Sequence, residues 1–395
     1  MRETRQVRWL ASAGVLAVAA ATITLAAGTA QAAEGNILAA GSPDAIPNSY
    51  IVKLKDFSTQ SVDSVAGKFA TKIDRTFDGA FKGFAANASV KQAKQLAADP
   101  SVEYVEQNQV FRADATQANP PSWGLDRIDQ ASLPLNSSYS YASTGAGVNV
   151  YVIDTGVRIS HSTFGGRAFN GYDAVDNDNV AQDGNGHGTH VAGTIAGSQY
   201  GVAKGAKIFA VRVLNNAGSG TTAGVVAGIN WVTTNHVKPA AANMSLGGGA
   251  STALDDAVRR SIAAGVTYGV AAGNSNADAN TSSPARVTQA ITVGATERTD
   301  ARASYSNWGS VLDIFAPGSG ITSSWNTSDT ATNTISGTSM ATPHVVGVVA
   351  RYLQNNKTAT PAQVSTALVN ASGKNKVTNP GTGSPNRLLY LAPTS

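Results

Sequence analysis

The sequence of 395 residues contains no cysteine, which excludes disulfides, a thiol nucleophile, a redox centre and thiolate metal sites together. Charge is scarce: 14% of the residues are charged, the net charge is +4, and no Lys/Arg run occurs. Nucleic acid and anionic membrane surfaces are thereby removed as partners. No GxGxxG lies between a strand and a helix, no GxxxxGK[ST] occurs, and HGTH at 187–190 lacks the HExxH spacing and its general-base Glu. Dinucleotide, phosphate-loop and zinc-peptidase chemistry have no support from these spacings. Long apolar runs are missing apart from a weakly apolar, Ala-rich one from Leu10 to Ala27. Arg2, Arg5 and Arg8 precede it, Ala30-Gln31-Ala32 follows, and no basic stop signal comes after, which reads as a secretory signal peptide over residues 1–32. The expected product is a secreted, extracellular protein that, without disulfides, needs another staple such as a bound ion.

Glycine, at 40 residues, is what the chain has in plenty, and it implies tight turns and places of close backbone approach. Residues 49–109 alternate regularly. SYIVKLK (49–55) reads as a strand and TQSVDSVAGKFATK (59–72) as a helix. IDRTF (73–77) and FKGFAANA (81–88) form a strand pair around Asp78-Gly79, SVKQAKQLAADP (89–100) is a helix with a capping box at Ser89 and Gln92, and VEYVEQNQ (102–109) is a last strand. The βαββαβ order predicts a small α+β ferredoxin-like unit. DATQANPP (114–121) reads as a linker by composition.

From Val148 onward short apolar strands alternate with helical segments, which predicts an α/β fold with a mostly parallel central sheet between two helix layers. Chemistry in such folds collects at the carboxyl ends of the strands. Asp154 follows the apolar run VYVI, and a carboxylate there demands a donor. His187 stands among glycines at a helix start, while His190 points into the core. Asn274 follows the strand VTYGVAA, where a side-chain amide can donate to a developing oxyanion. Ser339, in SGTSMATPHVVGVVARYL (336–353), stands at the first turn of a buried helix, with Pro343 read as a first-turn proline. A helix N-terminus presents unpaired N–H groups to an oxygen that becomes negative. Taken singly, each residue also reads as a cap, a core residue or a turn. His161 and His236 read as surface loop or helix-end residues, and His344 as part of the buried helix.

Jointly they resemble a known family. VIDTGV, GHGTHVAGT, AAGN and SGTSMATPHV resemble the motifs of subtilisin-like serine proteases, and the order Asp, His, Ser is that of the family. With NMSLGGG, RVLNNAGSG and SYSNWGSVLDIFAPG added, the chain is similar to the proteinase K branch over residues 115–392. YIVKLK, FKGFAANAS and SVEYVEQNQVF resemble the propeptide that precedes such enzymes. The cysteines of some relatives are absent, and Val191 occupies one such place.

The resemblance implies a signal peptide at 1–32, a propeptide at 33–114 acting as folding template and intramolecular inhibitor, and a subtilisin-like catalytic domain at 115–395. It implies a monomeric serine endopeptidase of broad specificity, with Asp154, His187 and Ser339 as triad and Asn274 in the oxyanion hole. Gly218, Ser219, Gly220 and Ser245, Leu246, Gly247 would clamp an extended protein or peptide substrate. Ala271, Ala272 and Gly273 would wall the pocket beside 245–247, and the absence of charge there points to apolar or aromatic side chains before the cut. No cofactor is needed for catalysis, and a structural calcium would take Asp313 with the carbonyls of Thr288 and Ala290. A non-catalytic binding module would ordinarily have lost one of the four residues. An esterase using the same triad is separated only by activity on protein.

Overall fold

The computed structural model describes residues 33–42, 45–109 and 115–391, and the signal-peptide reading lies outside them. The chain divides into two compact units after Gln109. In the first, β1 (Ile37–Leu38), β2 (Ala45–Leu54), β3 (Lys72–Phe77), β4 (Gly83–Asn87) and β5 (Val102–Gln109) form a sheet of order β1-β5-β2-β4-β3. The four long strands pair antiparallel and carry α1 (Val62–Lys68) and α2 (Val90–Ala97), the ferredoxin-like arrangement. The capping box of α2 forms as read: Ser89 Oγ accepts the Gln92 N–H, and Gln92 Oε1 accepts the Ser89 N–H. The helix expected over 59–72 is shorter, starting after Ser61, whose Oγ accepts the Ser64 N–H. The two-residue β1 carries too little pattern to be read from sequence.

The second unit opens with a strand where a linker was expected. Here β6 (Ala115–Ala118) pairs with β7 (Ser138–Tyr141), on either side of α3 (Trp123–Ile128). Polar composition hid the strand because its partner lies about 20 residues downstream. The main sheet contains β8 (Asn149–Asp154), β9 (Ala168–Asp173), β10 (Lys207–Arg212), β11 (Ala240–Met244), β13 (Thr267–Ala271), β15 (Ile291–Thr296), β16 (Ile314–Pro317), β19 (Gly373–Lys374) and β20 (Arg387–Leu388). Its order is β19-β20-β16-β15-β13-β11-β8-β10-β9, parallel except for the β19–β20 pair. The pairs β12 (Gly248–Gly249) with β14 (Ser282–Ser283) and β17 (Ile321–Ser324) with β18 (Thr332–Ile335) stand apart from it.

Every residue of β8 is buried, as befits a central strand covered on both faces. Alternation sorts them: Val150 and Val152 enter the core shared with α4 (His187–Ala196), α7 (Thr338–Asn355) and α8 (Pro361–Ala371). Tyr151 and Ile153 enter the opposite core, shared with α5 (Thr222–Asn235) and α6 (Thr252–Ala263). Two helix layers thus clamp one sheet, the three-layer α/β fold expected. Helix α7 crosses β13 closely because Gly269 has no side chain; a Cβ there would stand 2.5 Å from Val346 Cγ2. The strand expected over 311–315 begins only at Ile314, which leaves Asp313 just outside the sheet. Among the described residues no helix is long and apolar enough to cross a membrane.

Candidate active site

Parallel register brings the ends of β8, β10, β11 and β13 to one edge of the sheet, and the chemistry-bearing residues lie just beyond them. Asp154 closes β8 with no solvent exposure. Its Oδ1 accepts the Thr155 N–H and the His187 Nδ1–H, both at 2.7 Å. His187 is the first residue of α4, and Gly186 before it adopts φ +114° with its Cα side against the Trp325 ring. Burial alone would lower the His187 pKa, but the charge and hydrogen bond of Asp154, with a further contribution from Asp183, raise it above the ordinary value. With Nδ1 protonated toward Asp154, Nε2 is left as the basic nitrogen.

Ser339 is the second residue of α7, after a Gly337 N-cap without a side-chain cap. Its hydroxyl donates to the Ser245 carbonyl at 3.1 Å and makes no hydrogen bond to His187 among the described residues. Attack by Ser339 on a substrate would require its Oγ to turn from that carbonyl toward Nε2. Pro343 sits in the second turn of α7, not the first as expected, because the helix already begins at Thr338. At that position the missing N–H would have served the Ser339 carbonyl four residues back. Ser245 Oγ takes its place, donating to that carbonyl at 2.8 Å while accepting from Asn243 Nδ2 at 2.9 Å. Ser245 thus holds Ser339 twice, through its hydroxyl and its carbonyl.

Asn274 is exposed beyond β13, and its Oδ1 accepts both the backbone N–H and the hydroxyl of Thr338 at 2.8 Å. The amide is thereby oriented with Nδ2 free to donate. Gly218, Ser219, Gly220, Ser245, Leu246 and Gly247 line one cleft of about 600 Å3 together with His187. Leu214, Val225 and Leu254 add apolar side chains to the lining of that cleft. Ala271 and Ala272 are buried, and with Gly273 they lead to Asn274 without lining this cleft. Asp313 accepts the Thr292 N–H through Oδ2 at 2.8 Å and has no donor on Oδ1 among the described residues. Thr288 and Ala290 lie in the turn entering β15.

The remaining histidines are structural. His190 is buried with Nε2 on the Ile321 carbonyl, and burial lowers its pKa to about 3. His344 is buried in α7 and lowered by burial to about 4. His161, expected at the surface, is 3% exposed: its Nδ1 caps a short helical turn at Thr163 and its Nε2 meets the Ala331 carbonyl. The distant loop that covers it has no local signal. Sequence reading also passed over Asp183, Ser245 as a tether, and Thr338, whose roles depend on partners from other elements.

A carboxylate, imidazole and serine at strand and helix ends, with amide donors beside them, define a serine hydrolase that works by acyl transfer. The subtilase family model matches residues 145–388, and the peptidase inhibitor I9 model matches residues 49–114. The chain is 51% identical over 400 residues to the extracellular serine proteinase of Thermus sp. (strain Rt41A), covering 95% of this chain and 97% of that protein. It is 44% identical over 354 residues to proteinase R of Parengyodontium album, covering 87% and 89%. Among solved structures, a cold adapted subtilisin-like serine proteinase aligns at TM-score 0.67 and 58% identity over 68% of this chain and 98% of that one. The chain belongs to the subtilase family, in its proteinase K branch, and is a serine endopeptidase with an I9 inhibitor unit ahead of the catalytic one. As a subtilase it needs no cofactor for catalysis.

Proposed function

We propose that the protein is a secreted, monomeric zymogen whose catalytic domain, residues 115–395, hydrolyses peptide bonds after apolar or aromatic residues through an acyl-enzyme on Ser339. The observation that carries the reading is the 2.7 Å contact between His187 Nδ1 and buried Asp154, with Ser339 at the N-terminus of α7. His187 takes the Ser339 proton as Oγ attacks the peptide carbonyl, and returns it to the departing amine. Asp154 holds the tautomer and stabilises the imidazolium. The Asn274 amide and the Ser339 N–H receive the oxyanion, a donor of this kind being worth roughly 3 kcal/mol of barrier. Water then hydrolyses the ester, returning Ser339.

Substrate pairs as an added strand between 218–220 and 245–247, an interaction blind to most side chains. The neighbouring segment Ala271, Ala272 and Gly273 brings no charge to the pocket for the residue before the cut. Residues 33–114 act as folding template and inhibitor, and maturation cuts near Ala115, where β6 begins. The Asp313 carboxylate, with the Thr288 and Ala290 carbonyls, would hold a structural calcium; oxygen donors suit that cation, and Asp313 Oδ1 meets no hydrogen-bond donor among the described residues. The ion supplies stability and takes no part in the reaction.

The test compares full-length wild type with Ser339→Ala on peptide anilides carrying Phe, Ala or Arg before the scissile bond. Wild type is expected to shed the segment ahead of Ala115 and cleave the Phe anilide fastest, with Ser339→Ala doing neither. A folded wild type that cleaves no anilide refutes the assignment of the triad.

A further inference from the structure

Four residues before His187 lies a second buried carboxylate that the triad does not use. Asp183 is 3% exposed and has no cationic partner among the described residues. Its Oδ1 accepts the Thr155 hydroxyl at 2.9 Å and the N–H groups of Asn185 and Gly186 at 2.9 and 2.8 Å. Its Oδ2 accepts the N–H and the hydroxyl of Thr189 at 2.9 and 2.6 Å. Thr155 extends the network both ways, since its Oγ1 accepts the Gly188 N–H at 2.9 Å and its N–H donates to Asp154 Oδ1 at 2.7 Å. One carboxylate therefore binds the end of β8, which carries Asp154, to the first turn of α4, which carries His187.

We propose that Asp183 is a positioning residue for the acid–base pair, fixing the Asp154–His187 geometry and adding a second negative charge behind the imidazole. The proposal rests on the triad assignment above. A neutral cap would satisfy a helix start at less cost, since an unpaired charge is expensive to take out of water. Five N–H and O–H donors and the positive end of α4 offset that cost here. What the charge adds beyond capping is a field that favours the imidazolium formed as Ser339 attacks. The charged groups acting on the His187 ring are Asp154 and Asp183, whereas His190 on the same helix and His344 on α7 are held neutral by burial.

Two effects are thus separable. Neutralising Asp183 removes a charge that raises the His187 pKa, so the acid limb of kcat/KM moves to lower pH. Simple destabilisation does the reverse, because acid unfolding then begins at higher pH. The experiment uses mature wild type, Asp183→Asn, Thr155→Val and Thr189→Val, with active sites counted by a serine-directed sulfonyl fluoride. On a Phe anilide, Asp183→Asn is expected to lose about 10- to 100-fold in kcat per titrated site, with KM little changed and the acid limb lowered. The two Val variants keep the charge, and each is expected to lose about 10-fold in kcat with the acid limb unmoved. An Asp183→Asn enzyme with wild-type kcat per site, or with its acid limb raised, overturns the proposal. If that variant does not fold, wild-type kcat per site in both Val variants overturns it equally. A wild type that the reagent does not label sinks the triad assignment itself.

Discussion

The tether between Ser245 and Ser339 makes a quantitative prediction about Pro343. Pro343 offers no N–H to the Ser339 carbonyl, and Ser245 Oγ donates to it instead at 2.8 Å. Replacing Ser245 by Ala strips the partly buried carbonyl of this donor and leaves buried Asn243 Nδ2, previously 2.9 Å from Ser245 Oγ, without its acceptor. At about 1–3 kcal/mol for each buried group left unpaired, the Ser245→Ala cost is about 3 kcal/mol. Pro343→Ala restores a helical N–H four residues after Ser339. Alone it adds little for that carbonyl, which Ser245 already serves. In the Ser245→Ala background it recovers about 1–2 kcal/mol, so the double-mutant cycle shows a favourable coupling of that size. Denaturant unfolding of full-length proteins, all carrying Ser339→Ala to prevent self-digestion, measures it. The substitution keeps the backbone carbonyl at 339. Tryptophan fluorescence reports chiefly on the catalytic unit, because Trp123, Trp231, Trp308 and Trp325 lie there, residues 33–109 contain no Trp, and Trp9 is the one other in the sequence. Additivity within about 0.5 kcal/mol refutes the tether.

Asn274→Ala removes the amide oriented by Thr338, and kcat is expected to fall about 100- to 1,000-fold with KM nearly unchanged; a rise in KM alone shows ground-state binding instead. The His187 pKa is raised, and only neutral His187 accepts the Ser339 proton, so kcat/KM is expected to fall as pH drops through a value above the ordinary 6.5. Asp154→Asn withdraws the main raising partner, lowers kcat about 10,000-fold and moves that limb to lower pH, which a pH profile reads directly. Removing calcium with a chelator is expected to lower Tm, by an amount equivalent to about 2.7 kcal/mol if the ion had been at 100 times its Kd. Asp313→Asn is expected to abolish that chelator response, and an unchanged response places the ion elsewhere.

The local features of this chain were readable in its sequence. Strand β5 and the capping box of α2 depend on neighbours within a few residues, and so do the helix starts that carry His187 and Ser339 in their first turns. The order of the four motif residues at element ends pointed to the chemistry because each type is costly or useless there without the others. Tertiary structure decided what those ends meet. It placed His161 under the 326–331 loop, turned a polar linker into β6, and gave the orphaned Ser339 carbonyl to Ser245. Asp183 shows the limit most clearly: its nearest motif residue is four positions away, but its role follows from Thr155, which lies 28 residues upstream and arrives with β8. Burial and hydrogen-bond partners are properties of packed elements, so a buried carboxylate and an exposed one are the same letter until the sheet has brought its neighbours to it.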